Sequence, residues 1–303
     1  MNLKVQAPFL TSPDSSKLTL ASGQKVVVPP FPPLRISGPK VQVANSDASA
    51  NDPGELIEVK VDAATAEKLA GPAVALVQSA TDTLTETATK VHAIRTDRDL
   101  STDGRQRRVA PILAQGIEEI AMIWTACDEN IARVAETEAK LLAVPALAPN
   151  ATAVALVEIE MRQWFRAQLP DTRAATLQRI TAPTASDDDR ALLIALLHNP
   201  VGVSDPETKI LRDRWEANAR NAQPDTAVRV EVERESLEWA RHCIAVLAAS
   251  MVNVVGGDRV NVLRTLLTSA NDRAQRGFRA YGFGADDAAR MRRIIDAERK
   301  AAA

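Results

Sequence analysis

The segments TAEKLAGPAVALVQSATDTLTETATKVHAI (residues 65–94) and RQRRVAPILAQGIEEIAMIWTACDENIARVAETEAKLLAV (residues 105–144) decide the fold. In the first, Leu69, Ala73, Leu76, Val77, Ala80, Leu84, Ala88, Val91 and Ile94 recur every three or four residues, which marks one buried helical stripe. In the second, Val109, Ile112, Leu113, Ile117, Ile120, Ile123, Trp124, Cys127, Ile131, Val134, Leu141 and Leu142 repeat the pattern. The connector Thr96-Asp97-Arg98-Asp99-Leu100-Ser101-Thr102-Asp103-Gly104 is so short that the two helices must fold back as an antiparallel hairpin. Pro111 lies well inside the second segment, where it removes a helix hydrogen bond at a cost of about 3 kcal/mol, so a kink or break is expected there.

The helical pattern continues to the C-terminus. Pro145 and Pro149 stop the second helix, and Asn150 restarts one that presents Val154, Val157, Met161, Trp164 and Phe165 on one face. Ser186-Asp187-Asp188-Asp189 and Ser204-Asp205-Pro206-Glu207 both read as capping boxes with acids in the first turn. A long helix follows Pro224-Asp225 with Val228, Val232, Leu237, Trp239, Ile244, Leu247 and Met251; Gly256-Gly257 ends it and Asp258 caps the next. After the turn-rich Gly277 to Gly284, a last helix starts at Ala285.

Residues 1–61 differ in kind, with eight of the 17 prolines before residue 55 and the block Val28-Pro29-Pro30-Phe31-Pro32-Pro33-Leu34. Proline fixes φ and lacks an amide donor, so this stretch is extended. Lys17 to Leu20 and Lys25 to Val28 flank a turn and resemble a hairpin, while Lys40 to Val43 and Glu55 to Val61 are strand-like. The expected fold class is therefore mainly α: an antiparallel helical bundle, residues 62–303, carrying an extended Pro-rich N-terminal arm, residues 1–61, with short β pieces. The body divides further at 62–148 and 149–303. Ordering each residue costs on the order of 1 to 2 kcal/mol, so the arm either stays mobile or lies on a surface. Its apolar residues Phe9, Val26, Val28, Phe31, Leu34, Ile36, Val41 and Val43 are the candidate partner-binding positions.

Chemistry is harder to find. The net charge of -2, from 37 basic and 39 acidic residues, supplies no overall field for nucleic acid or an anionic membrane. No apolar run is long enough to span a bilayer, and the N-terminus lacks the apolar core of a signal peptide. His92, His198 and His242 have no metal-ligand spacing, and His242 and Cys243, adjacent on a helix, point about 100° apart. Asp97, Asp99 and Asp103 approach the alternation of a Ca²⁺ loop but lack its closing Glu. No P-loop, dinucleotide or nucleophile-elbow pattern occurs. No catalytic residue, metal ligand or cofactor site is therefore assigned, and the expectation is that the chain is not an enzyme. Cys127 and Cys243 read as small core hydrophobes and Trp124, Trp164, Trp215 and Trp239 as core anchors. Arg290, Arg292 and Arg293 could touch nucleic acid, but a solvated helix face balanced by Asp286, Asp287, Asp296 and Glu298 is the favoured account.

The segment Asp97-Arg98-Asp99-Leu100-Ser101-Thr102-Asp103-Gly104-Arg105, entering a long Ala-rich helix, resembles a pattern in helical virion and assembly proteins of tailed bacteriophages and prophages. The resemblance covers about a sixth of the chain and carries no functional residues with it. It implies a virion or assembly protein; with the Pro-rich segment read as an arm that docks on neighbouring subunits, the expectation is a phage structural protein at the head surface or head-to-tail junction, assembled in the host cytoplasm. Homo-oligomerisation and contact with capsid or portal proteins would follow, and no membrane. Alternatives are a scaffolding or internal ejected protein, or a helical enzyme or small-molecule-binding protein without a readable motif.

Overall fold

A computed structural model of the chain describes residues 17–29, 40–42, 56–58, 63–148, 150–182, 185–255 and 258–302. The fold is mainly helical. Its helices are α1 (Ala63–Thr96), α2 (Thr102–Leu142), α3 (Thr152–Arg166), α4 (Pro170–Ile180), α5 (Asp187–His198), α6 (Asp205–Ala222), α7 (Pro224–Val255), α8 (Arg259–Thr268), the short α9 (Asp272–Arg276) and α10 (Ala285–Ala302), with a 3-10 turn at Gly277–Tyr281. Two antiparallel strand pairs precede them: β1 (Lys17–Thr19) with β2 (Lys25–Val27), and β3 (Lys40–Gln42) with β4 (Leu56–Glu58). The chain divides into two compact units. The first comprises residues 1–35, 62–134 and 232–303, the second 36–61 and 135–231, so the boundaries fall within α2 and α7.

In the first unit, α1 and α2 run antiparallel as the short connector requires. Thr83 Oγ1 donates to Glu119 Oε2 at 3.4 Å. One turn further along α1, a Cβ on Gly116 would fall 2.5 Å from Thr87 Oγ1, so the absence of a side chain lets the helices close. Ala73, Val77, Ala80, Leu84, Ala88 and Val91 are buried along α1, and Val109, Ile117, Ile120, Trp124, Cys127 and Val134 along α2, the stripes read from the sequence. The threonines of α1 satisfy their hydroxyls on the preceding turn, Thr81 on Val77 O and Thr85 on Thr81 O, both at 2.8 Å. The break expected at Pro111 is absent: α2 continues through it. Pro111 is exposed, so the carbonyl that loses its amide donor is not stranded in a dry core.

Between α8 and α10, the chain is stitched to α2. Tyr281 Oη donates to Ile117 O at 2.9 Å, and Thr125 Oγ1 to Arg273 O at 2.7 Å. Gly277 sits so close to α2 that a Cβ would overlap the backbone carbonyl of Ala121, and Gly282 leaves the turn with φ 73°.

The second unit has its own core of Phe165, Leu177, Ile180, Leu192, Leu193, Leu196 and Leu211, with Met161, Leu197, Val203 and Trp215 packed against it. Both capping boxes form as read. Ser186 Oγ accepts from the Asp189 amide at 3.2 Å, and Glu207 Oε2 accepts from the Ser204 amide at 2.7 Å. Asp258 caps α8, its carboxylate accepting from Asn261 N at 3.4 Å.

Candidate functional site

Of the candidate partner-binding residues, Val26 and Val28 are buried, at 4% and 0% exposure. They belong to the β1–β2 piece, whose pairing Lys17↔Val27, Leu18↔Val26 and Thr19↔Lys25 closes through Gly23 at φ 81°. The segment after β2 is tied to α7: Trp239 Nε1 donates to Pro29 O at 3.2 Å, and Cys243 Sγ lies 3.6 Å from the same oxygen. This part of the N-terminal region therefore packs on its own body. Val41 lies in β3, whose backbone pairs with Ile57 in β4. Phe9, Phe31, Leu34, Ile36 and Val43 lie outside the described residues, as do Gly256 and Gly257.

The remaining sequence candidates scatter. Cys127 and Cys243 are free and buried, and burial pushes both thiols up to about 12. Asp97 Oδ1 accepts the Asp99 amide at 2.9 Å, and among the described residues no three His, Cys, Asp or Glu side chains converge as a metal site. Trp124 and Trp239 are buried, and Trp215 donates to Leu142 O at 2.9 Å. Among the described residues the Trp124 Nε1 has no acceptor, and its ring lies under the Arg241 guanidinium at 5.1 Å. Trp164 is a correction. It is 50% exposed, not a core anchor.

The reason lies in α3. Of the expected stripe Val154, Val157, Met161, Trp164 and Phe165, only Phe165 and Met161 face the core, and beside them lies the carboxylate of Glu158, which is 6% exposed. Arg162 reaches Glu158 at 3.1 Å and also donates to Ala195 O at 3.1 Å. His198 Nδ1 lies 2.9 Å from Glu158 Oε1, and its Nε2 2.7 Å from Pro145 O. Both ring nitrogens thus face oxygen atoms. Breaking such a buried network leaves an uncompensated charge in the interior, so the face that carries it stays turned inward. Val154, Leu156, Val157, Ile159 and Trp164 are left exposed on α3, with Leu169, Val201 and Ile210 elsewhere in the same unit.

A concave site that sequence reading did not find opens in the first unit. A cavity of about 910 Å³ is lined by Arg95 at the end of α1, by Thr102, Arg105, Gln106, Val109, Ala110, Pro111, Leu113, Ala114 and Ile117 of α2, and by Asp258, Asn261, Val262, Arg264 and Thr265 at α8. Val109, Ile117 and Val262 form a buried apolar floor. Arg264 is held by Glu298 through two contacts of 3.0 and 2.9 Å. The periodicity of a single helix gives no sign of it, because the cavity needs α8 beside α2.

The basic C-terminal helix buries Ala288, Met291 and Ile295 and leaves Arg290, Arg292 and Arg293 exposed. Arg273 and Arg276, also basic in the sequence, pair with Glu129 at 3.0 Å each. Among the described residues no helix is long and apolar enough to cross a membrane. Comparison with known proteins finds no matching family model, no matching curated protein and no matching solved structure.

Proposed function

We propose that this chain is a structural or assembly protein of a tailed-bacteriophage particle, at the head surface or the head-to-tail junction. In this reading the helices form an antiparallel bundle that oligomerises, and the Pro-rich N-terminal arm reaches neighbouring subunits. The observation that carries it is the apolar surface of α3. Val157 and Trp164, 48% and 50% exposed, sit seven residues apart on one flank, and an exposed apolar set on one element is a feature of surfaces that meet other proteins. The Asp97 to Arg105 turn adds the resemblance to phage virion proteins. The role is non-catalytic, and the partners are other copies of the chain and capsid or portal proteins.

The packing of residues 17–29 restricts what can act as a reaching arm. Val28 belongs to the core, so removing the entire N-terminal region would damage the body as well as the arm. The test is therefore a substitution of Phe31, Leu34, Ile36 and Val43 by serine, compared with Trp164→Glu and Val157→Glu. Light scattering of the wild type should give an oligomer that the α3 charges dissociate, and the serine variant should retain its helical circular dichroism but fail to enter particles. A wild-type monomer that never joins particles would reject the proposal. A second reading, a small-molecule-binding helical protein, is favoured by the cavity beside Arg105. For a scaffolding or internal ejected protein, the discriminating observation is absence from, or confinement within, finished virions.

A further inference from the structure

We infer that the cavity between α2 and α8 is a binding site for a single-chain amphipathic anion, a carboxylate with a hydrocarbon tail of roughly ten carbons. This goes beyond the assembly reading and stands whether or not that reading holds.

The chemistry of the lining divides in two. Along α2, Arg105, Val109, Leu113 and Ile117 follow one another at intervals of four residues, so they share a face. From Val109 to Ile117 this face runs about 12 Å at about 1.5 Å per residue. Val262 closes the floor from α8, and Ala110 and Ala114 leave the width open. An alkyl tail laid on this floor removes apolar surface from water on both sides. The volume of about 910 Å³ is ample for a small ligand of this size.

The head end is basic. Arg105 Nε donates to Asp97 O at 3.0 Å, which fixes the plane of the guanidinium. Among the described residues no carboxylate pairs with Arg105, so its terminal nitrogens are available as a fork, the geometry that grips a carboxylate by two parallel hydrogen bonds. Arg95 also lines the cavity, as does Arg264, whose guanidinium is held by Glu298. The acid of the lining, Asp258, is engaged in capping α8. A cationic head would be repelled by the Arg105 guanidinium, and a neutral head would leave the fork unused.

The test is calorimetric titration of the full chain with decanoate, held below its micelle concentration, alongside decanol and decyltrimethylammonium. Decanoate should bind saturably at one site, decanol at least tenfold more weakly and decyltrimethylammonium not at all. Arg105→Gln should reduce decanoate affinity at least tenfold while leaving decanol unchanged. Ala114→Trp fills the floor and should abolish binding of both; Ala110→Trp, at an exposed position, does the same if the first variant loses its circular dichroism. Absence of saturable decanoate binding overturns the inference, as does equal affinity for the cationic analogue or an Arg105→Gln variant that binds decanoate like the wild type.

Discussion

Gly277 shows how much of the first unit depends on one missing methyl group. The position has φ -77°, an ordinary value for any residue, so backbone conformation does not demand glycine there. The demand comes from α2, whose Ala121 carbonyl occupies the place of a Cβ. A backbone carbonyl in mid-helix cannot swing aside as a flexible side chain can. Gly277→Ala should therefore destabilise the protein by about 2 kcal/mol or more, within the usual range for overpacking, measured as a lowered urea midpoint with the slope unchanged. Gly116→Ala meets Thr87 and Met251 side chains, which can shift, and serves as the milder comparison. The partners of His198 were not legible in the sequence. Glu158 and Pro145 are 40 and 53 residues away in sequence, and nothing in the local pattern points to them.

Among the helices, those whose ends are written locally were the most readable. Ser186 and Asp189, or Ser204 and Glu207, need only a three-residue spacing to satisfy the first amides, and both boxes form. Loss of the Ser186 hydroxyl in Ser186→Ala should cost about 1 kcal/mol, visible as a lowered melting temperature. Asp189 also accepts from Arg179 at 3.0 Å, so Asp189→Ala should cost more. The α1–α2 hairpin was equally readable because thirty or forty residues of apolar periodicity average out local noise. By contrast, α3 was read only in part: Phe165 and Met161 face the core, while Val154, Val157 and Trp164 do not. Its apolar stripe is real, but a carboxylate held by Arg162 and His198 competes for the interior, and periodicity counts only apolar residues. The cavity was invisible for a related reason: no single helix contains it, and the order of the chain gives no sign that α8 lies beside residues 105–117.

At the scale of the molecule, the interior of the first unit sets a limit on alkaline stability. Burial raises Cys127 and Cys243 from an ordinary value of 9.0 to about 12, and raises the fully buried Tyr281 well above its ordinary range. In each case the folded chain keeps a proton that the unfolded chain releases. The stabilisation is complete below about pH 9 and is lost progressively as the pH climbs toward 12. Denaturation series at pH 8 and 10.5 should show this decline, with a shallower pH slope in the Cys127→Ala, Cys243→Ala double variant. At pH 8 neither thiol should react with a thiol reagent until the protein unfolds.

The tether from Trp239 to the carbonyl of Pro29 joins residues 210 apart in sequence. Synthesis proceeds from the N-terminus, so the β1–β2 piece leaves the ribosome long before its anchor exists. The second unit, complete once residue 231 has emerged, can collapse first. The first unit must wait for the C-terminal segment. During that interval Leu20, Val26 and Val28 are bare, a set of apolar side chains available to a chaperone or to another nascent chain. Circular permutation that places residues 17–29 directly after α10 would shorten that interval, and the yield of soluble protein made at high translation rates is where the difference would be felt.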